Sequence, residues 1–259
     1  MRAVGAVGAG RGRMILAPVV LGVVALALWQ LAVVGFAIKP YVLPSPLAIG
    51  DQFTRAFSTI WSGTRVTGFN ALVGLFLGAI LGILFAIISA LVRVFDEITL
   101  PIVTAIAVVP IVALAPVLYT MFGAGAETGR QLIAALAVFI PVYVNTLRGL
   151  RQVRPVHRDL MRAYAASSWQ ATRTVTLPGA TPFLFTGLRI ASSLAVISAL
   201  IAEYFGGPVD GLGKSIISAA SYSNYALAYA FVLGSIVLGL AFYLLTLALE
   251  KFATRHSPA

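Results

Sequence analysis

Six long apolar segments constrain the fold of this chain more than any other feature. They are Met14 to Ile38, Phe69 to Val92, Ile98 to Phe122, Leu132 to Leu147, Phe183 to Phe205 and Tyr225 to Leu249. A helix needs about 20 apolar residues to cross the hydrocarbon of a bilayer, and most of these segments are that long. The chain is 60% hydrophobic and only 10% charged, so a soluble globule could not bury its apolar surface. The pattern predicts an all-α polytopic membrane protein with about six transmembrane helices in one domain, residues 1–259.

The distribution of basic residues predicts the topology. Cytoplasmic segments carry an excess of Lys and Arg, and six spans place both termini on one side. With the N-terminus inside, 13 of the 18 basic residues fall on inner segments and the other five on outer ones: Lys39, Arg55, Arg65, Arg130 and Lys214. We therefore expect an N-in, C-in protein with a cytoplasmic tail at residues 1–13 and a long cytoplasmic loop at residues 148–182. The first segment is too long for a signal-peptide core and is interpreted as a retained span.

Composition argues against several other functions. The chain has no cysteine and two histidines, His157 and His256, so no disulfide, cysteine nucleophile or metal site is expected. The net charge of +10 lies mostly on the predicted inner loops, where it sets orientation, and nucleic acid is not an expected partner. The segment "GLGKS" at 211–215 lacks the first glycine of a phosphate loop, because residue 208 is proline. We expect no intrinsic ATPase activity and no cofactor in this chain.

Glycine and proline positions indicate how the spans pack. Gly74, Gly78 and Gly82 form a groove along one helix face, which favours close helix packing within the chain or between chains. Prolines inside the third and fourth segments predict kinks there, and the third segment carries three: Pro101, Pro110 and Pro116. Leu47, Phe53 and Trp61 share a face of the first outer loop, which predicts either an interfacial helix or a loop helix packed on the bundle.

The loop around "DLMRAYAASSWQATRTVTLPGATP" predicts ordered structure outside the bilayer. A helix should run over 159–166, and Ser167 with Gln170 fits a capping box that starts a second helix. Pro178 should end that second helix by Leu177, since the residue before a proline avoids the helical region. The loop could serve only to hold topology, but the exposed Tyr164 and Trp169 exceed that need and favour contact with another protein.

The same loop resembles the signature of permease subunits of binding-protein-dependent ABC importers. That signature is Glu-Ala-Ala, three residues, Gly, nine residues, Ile, one residue, Leu-Pro. Its spacing falls here on Asp159-Leu160-Met161, Ala165, Val175 and Leu177-Pro178. "LPSPLAI", "VVPIVALAPVLYTMFGAG", "FIPVYVNTLRGLRQVRP", "VTLPGATPFLFTGLRIA", "AEYFGG" and "GLG" look like the nitrate, taurine and alkanesulfonate branch, which includes permeases for thiamine-pyrimidine precursors.

The resemblance implies a type I importer permease in the plasma (inner) membrane of a bacterium. Two permease subunits, the same or related chains, would form the path of a small solute through the lipid. A separate cytoplasmic ATPase dimer would bind ATP and Mg, and an extracytoplasmic binding protein would deliver the solute. The contacts that couple to the ATPase would be Asp159, Ala163, Tyr164, Ala165, Ala166 and Ser167, with Leu177 and Pro178 fixing the return of the loop. Alanine at 165, where the family has glycine, is expected not to adopt a positive φ.

Candidate pathway or gate residues are polar or flexible side chains in the spans: Tyr119, Met121, Asn145, Ser193 and Glu203. For Glu203 an interfacial position or a helix-end salt bridge is the alternative to a gate role. A secondary transporter or channel remains the alternative function, although the spans carry few ionisable groups for ion coupling. A membrane enzyme would require a clustered acid, base or metal set, and the sequence gives no sign of one.

Overall fold

The computed structural model describes residues 11–123, 125–153 and 155–254, and throughout that part the regular structure is helical. The helices are α1 (Arg11–Gly35), α2 (Pro46–Arg55), α3 (Phe57–Leu91), α4 (Arg93–Val108), α5 (Ile111–Phe122), α6 (Thr128–Arg151), α7 (Pro155–Ala163), α8 (Ser168–Ala171), α9 (Leu177–Phe205), α10 (Leu212–Ser221) and α11 (Tyr225–Thr254). Within these described ranges, five helices are long and apolar enough to cross a membrane, and there are six spans if the bent pair α4–α5 counts as one. This confirms the all-helical prediction. Of the predicted cytoplasmic tail, residues 1–10 lie outside the described residues.

The centre of the bundle is formed by α3, α6 and α9, and α11 packs on α9. The glycine groove of α3 faces α6 within the same chain. A Cβ at Gly78 would lie 2.7 Å from Val138 Cβ, and one at Gly82 would lie 3.0 Å from Val142 Cβ. Glycine therefore sets how closely the two helix backbones approach.

The third predicted span is broken in the structure. Helices α4 and α5 meet at a 105° bend, where Val109 is extended (φ −67°, ψ 126°) immediately before Pro110. The residue before a proline is pushed out of the helical region, and Pro110 has no N–H to continue the hydrogen-bond ladder. The expected kink is thus a sharp break between two helices.

The second span begins earlier than predicted, at Phe57 instead of Phe69. The predicted surface helix is consequently divided at Ala56, and Trp61 belongs to α3. The remaining part, α2, starts at the Ser45 cap and buries Ile49 against the bundle. It is a loop helix packed on α11, the second of the two alternatives.

The predicted stop at Leu177 is wrong. Residues 172–176 form one π-helical turn, and α9 follows without interruption from Leu177. The Leu177 N–H donates to the Thr172 carbonyl, five residues back. This wider turn accommodates the proline at 178, which would otherwise clash in a regular α-helix. The helix that the Ser167 cap begins therefore leads directly into a membrane span.

Candidate functional site

The turn between α7 and α8, residues 164–167, is fixed by backbone and side-chain hydrogen bonds. The Ala166 N–H donates to the Met161 carbonyl and the Ala165 N–H to the Arg162 carbonyl, both at 2.9 Å, which closes α7 with a Schellman motif. Ser167 then caps α8, because its hydroxyl accepts from the Gln170 N–H at 3.3 Å and the Gln170 side chain accepts from the Ser167 N–H at 2.8 Å. One helix is closed and the next is opened within four residues.

Ala165 has a φ of +49°, in the left-handed region. The expectation that alanine would not adopt the conformation of the family's glycine is therefore wrong. The closing hydrogen bonds of the Schellman motif hold the residue there, although its Cβ makes that conformation less favourable by about 1 kcal/mol. The turn keeps the glycine geometry with an alanine in place.

Ala165→Gly is therefore expected to stabilise the chain by about 1 kcal/mol, since glycine carries no Cβ penalty at positive φ. Thermal unfolding of the detergent-solubilised chain would measure this as a rise in Tm of about 2–4 °C. Ala163→Gly is the matched control, since Ala163 is also exposed but lies in the helix; there glycine should cost about 1 kcal/mol. If both variants lowered Tm equally, Ala165 would not be strained at positive φ.

The surface around this turn is apolar and exposed. Val156 and Leu160 on α7 and Tyr164 directly after it are spaced by four residues and are 72%, 48% and 75% exposed. Trp169 on α8 is 68% exposed. Asp159, Ala163, Ala165 and Ser167 are exposed beside them, whereas Ala166 is half-buried. Leu177 and Pro178 lie apart from this surface, in the first turn of α9. An exposed apolar patch outside the spans is typical of a protein-binding surface. We call these four apolar residues the loop surface.

A buried polar cluster lies at the opposite end of the bundle. Three of the chain's eight acidic residues converge on one arginine. The members, called the Arg130 cluster below, are Thr67 and Asn70 from α3, Glu127 and Arg130 at the start of α6, Glu203 in the last turn of α9, and Asp210 in the following segment. Arg130 and Glu203 are both 0% exposed, so their charges depend on protein partners.

Arg130 binds acceptors on two sides. Its Nη1 donates to Glu127 Oε2 at 3.1 Å and to Asp210 Oδ1 at 2.8 Å. Its Nη2 donates to the Pro208 carbonyl at 2.6 Å and to the Asp210 carbonyl at 3.3 Å. The guanidinium thereby ties the segment after α9 to the first turn of α6.

Glu203 links three elements. Its Oε2 accepts hydrogen bonds from the Thr67 hydroxyl at 2.9 Å and from the Gly213 N–H at 2.8 Å, and so joins α9 to α3 and to the start of α10. Its Oε1 lies 4.0 Å from Arg130 Nη1 and receives no hydrogen bond from the described residues. Gly211, at φ +88°, passes so close that any Cβ would overlap this carboxylate. Glycine is required there for both conformation and space.

Of the five predicted pathway residues, two lie near the cluster. Glu203 is a member, and the Tyr119 hydroxyl donates to the Ala202 carbonyl at 2.9 Å while its ring packs on Gly206 and Gly207. Met121 is exposed. Asn145 donates to the Pro141 carbonyl of its own helix, and Ser193 lines a groove of about 430 Å³ between α9 and α11. The five residues therefore do not form one site.

Most of the Arg130 cluster is not evident from the sequence. The topology prediction places Arg130 among the outer loop charges, yet it is buried in the first turn of α6. Thr67 lies just before the predicted second span and Asn70 lies inside it. Neither is distinguished in the sequence from an ordinary polar residue. The available clue was the combination of an acidic residue at the end of one apolar segment with a basic one at the start of another, but only the tertiary fold brings positions 67, 130 and 203 together.

Helix α6 connects the two ends of the bundle. It has 24 residues, which corresponds to about 36 Å. Arg130 lies in its first turn and Arg151 in its last, where Arg151 Nη2 pairs with Asp96 Oδ2 of α4 at 2.7 Å. One continuous helix therefore joins the end of the bundle that holds the Arg130 cluster to the end from which residues 152–153 continue.

The long apolar helices define a polytopic membrane protein. The sequence profile of the family described as "Binding-protein-dependent transport system inner membrane component" matches residues 78–255. The chain belongs to this family. It is accordingly a multi-pass protein of the bacterial inner membrane and a permease subunit of an ABC importer.

Curated relatives and a solved structure agree with this assignment. A probable ABC transporter permease protein of Haemophilus influenzae is 30% identical over 229 residues, 88% of this chain and 93% of that protein. The taurine transport system permease protein TauC of Escherichia coli is 30% identical over 243 residues, 91% of this chain and 86% of TauC. A solved amino acid ABC transporter chain has a TM-score of 0.62 at 16% identity, with 76% of this chain and 95% of that chain covered. The solved structure confirms the predicted fold, and the curated relatives agree with the predicted nitrate, taurine and alkanesulfonate branch.

Proposed function

We propose that two copies of this permease, or this chain and a related one, form a solute path that a separate ATPase dimer drives through the loop surface. The observation that carries the proposal is an ordered turn that exposes Val156, Leu160 and Tyr164 before the long α8–α9 helix and Trp169 in the first turn of that helix. A large apolar patch in water is unfavourable unless a partner covers it. ATP and Mg would then bind to the partner, with no cofactor in this chain.

We infer that both termini and the loop surface face the cytoplasm. The support is the charge distribution: the N-terminal segment and the 148–173 region together carry half of the 18 basic residues. The Arg130 cluster would then face the outside, where an extracytoplasmic binding protein would deliver the solute. This orientation also places the loop surface where ATP is available.

The proposed solute is a small polar organic molecule or oxyanion. The proposal rests on the taurine permease described above and on the sulfonate and formylaminopyrimidine permeases that the chain is also similar to. Taurine, an alkanesulfonate and formylaminopyrimidine are the first probes for uptake into membrane vesicles that contain the complete transporter. Uptake that proceeds equally well without the ATPase would contradict ATP-driven coupling.

Tyr164→Arg tests the docking of the ATPase. Tyr164 is 75% exposed on the loop surface, and an arginine would introduce a charge into an apolar contact. Loss of a central interface aromatic typically costs 2 kcal/mol or more, so we expect at least about tenfold weaker association with the ATPase. Co-purification of the ATPase with the tagged chain, and ATP-driven uptake in vesicles, measure the effect.

Tyr164→Phe is the matched control, because it keeps the ring and removes only the hydroxyl. It should retain ATPase association and uptake within about twofold. If Tyr164→Arg associates with the ATPase as well as the parent chain does, the loop surface is not the docking site.

A further inference from the structure

Arg130 donates hydrogen bonds to one set of acceptors and lies close to a further acceptor to which it does not bond. Its Nη1 bonds Asp210 Oδ1 at 2.8 Å, whereas Glu203 Oε1 lies 4.0 Å from the same nitrogen. Within the described residues, neither Glu203 Oε1 nor Arg130 Nε has a hydrogen-bond partner, although both are buried. An unpaired buried acceptor therefore lies beside an arginine with an unpaired buried donor.

A shift of about 1 Å would bring Arg130 Nη1 within hydrogen-bond distance of Glu203 Oε1. Asp210 could give up its bond more readily than Glu203 could remain without one. The Asp210 side chain is 48% exposed and can be hydrated when released, whereas the Glu203 side chain is 0% exposed. If Arg130 bonded to Glu203, its guanidinium would compensate the buried Glu203 carboxylate, and water would hydrate the exposed Asp210 carboxylate.

We propose that Arg130 exchanges between Asp210 and Glu203, and that this exchange fastens and releases residues 206–211 during transport. Arg130 is thus a positioning residue. The inference rests on the proposed transport function. In the first arrangement the segment 206–211 is held to α6 by the Asp210 side chain and by the Pro208 and Asp210 carbonyls. In the second arrangement these bonds are given up.

The moving part is limited to this short segment. The start of α10 stays anchored in both arrangements, because Glu203 Oε2 holds the Gly213 N–H and Thr67 holds the Leu212 N–H. Gly206 and Gly207 lie on the Tyr119 ring, whose hydroxyl reaches the Ala202 carbonyl. Release of the segment would therefore uncover Tyr119 and the fully buried Ala202 behind it.

Thiol labelling can detect this uncovering, because the chain has no native cysteine. Ala202→Cys would be reacted with a maleimide, added to both faces of membranes that contain the full-length chain. Adding Asp210→Asn should speed labelling about tenfold, since a lost charge-assisted bond shifts an equilibrium by at least that factor. Adding Glu203→Gln should slow labelling or leave it unchanged. The glutamine oxygen must take the Oε2 position to accept from Thr67 and Gly213, so the NH2 group, which only donates, faces Arg130.

Opposite responses of these two variants are the mark of exchange. If Asp210→Asn and Glu203→Gln accelerate labelling alike, they loosen one static network and the proposal is wrong; no acceleration by Asp210→Asn also overturns it. Asp51→Asn is the matched control, since it removes an exposed ion pair of 2.9 Å on α2 and should leave labelling unchanged.

A second measurement leaves the cluster intact. Val209, 89% exposed in the moving segment, would be replaced by cysteine and given a nitroxide label. Exchange predicts two populations of label mobility, whose ratio changes when ATP and Mg are added to the complete transporter. A single population contradicts exchange. Two populations that ignore nucleotide would support exchange but count against the proposed coupling, so the two failures can be told apart.

Discussion

Arg130→Met should destabilise the chain more than any other single substitution considered for this protein. Methionine fills much of the space but leaves Glu203 buried without a countercharge and removes the bonds to Pro208 and Asp210. Removing one partner of a buried charge network typically costs about 3–5 kcal/mol. Thermal unfolding of the detergent-solubilised chain should show a Tm lower by about 10 °C or more, with much less folded protein recovered.

Arg55→Met is the control for the loss of a positive charge. Arg55 pairs with Asp51 on the surface of α2, and its side chain is 73% exposed. Exposed ion pairs contribute about 0–1 kcal/mol, so this variant should unfold close to the parent temperature. If Arg130→Met unfolds at the same temperature as Arg55→Met, the Arg130 cluster does not hold that end of the bundle together.

Gly78→Ala should separate the two central helices. The added methyl group would overlap the Ala135 carbonyl oxygen and lie 2.7 Å from Val138 Cβ, and neither atom can rotate away. Overpacking of this kind costs about 1–3 kcal/mol and outweighs the better helix propensity of alanine. A lower Tm, with weaker association of the ATPase because α6 is displaced along its length, is the expected result.

Gly239→Ala provides the comparison. Gly239 lies in α11, and no atom comes within 4 Å of a Cβ placed there. Alanine should therefore be neutral, or stabilise by up to about 1 kcal/mol through helix propensity. A Gly78→Ala chain that is as stable as Gly239→Ala would mean that α3 and α6 are not packed at the observed distance.

The local parts of the candidate site were predictable because they depend on near neighbours in the chain. Ser167 and Gln170 are three residues apart, and their capping box needs no other element. The break at Pro110 likewise follows from the chemistry of one residue and its predecessor. Two local predictions were wrong because hydrogen bonds in neighbouring turns stabilise a conformation that the residue alone disfavours. A π-helical turn accommodates Pro178, and hydrogen bonds across the end of α7 hold Ala165 at positive φ.

The sequence by itself indicated a membrane protein with about six apolar helices and an exposed helical turn, because hydrophobic length and capping are properties of short stretches. Only the tertiary structure decided that Arg130 is a buried centre and not a loop charge. Glu127 is a near neighbour in the chain, but the acceptors at Pro208 and Asp210 lie 78 to 80 positions away, and Thr67 is 136 positions from Glu203. Such pairings arise only when α3, α6 and α9 pack, since the cost of burying each charge depends on what the fold brings beside it.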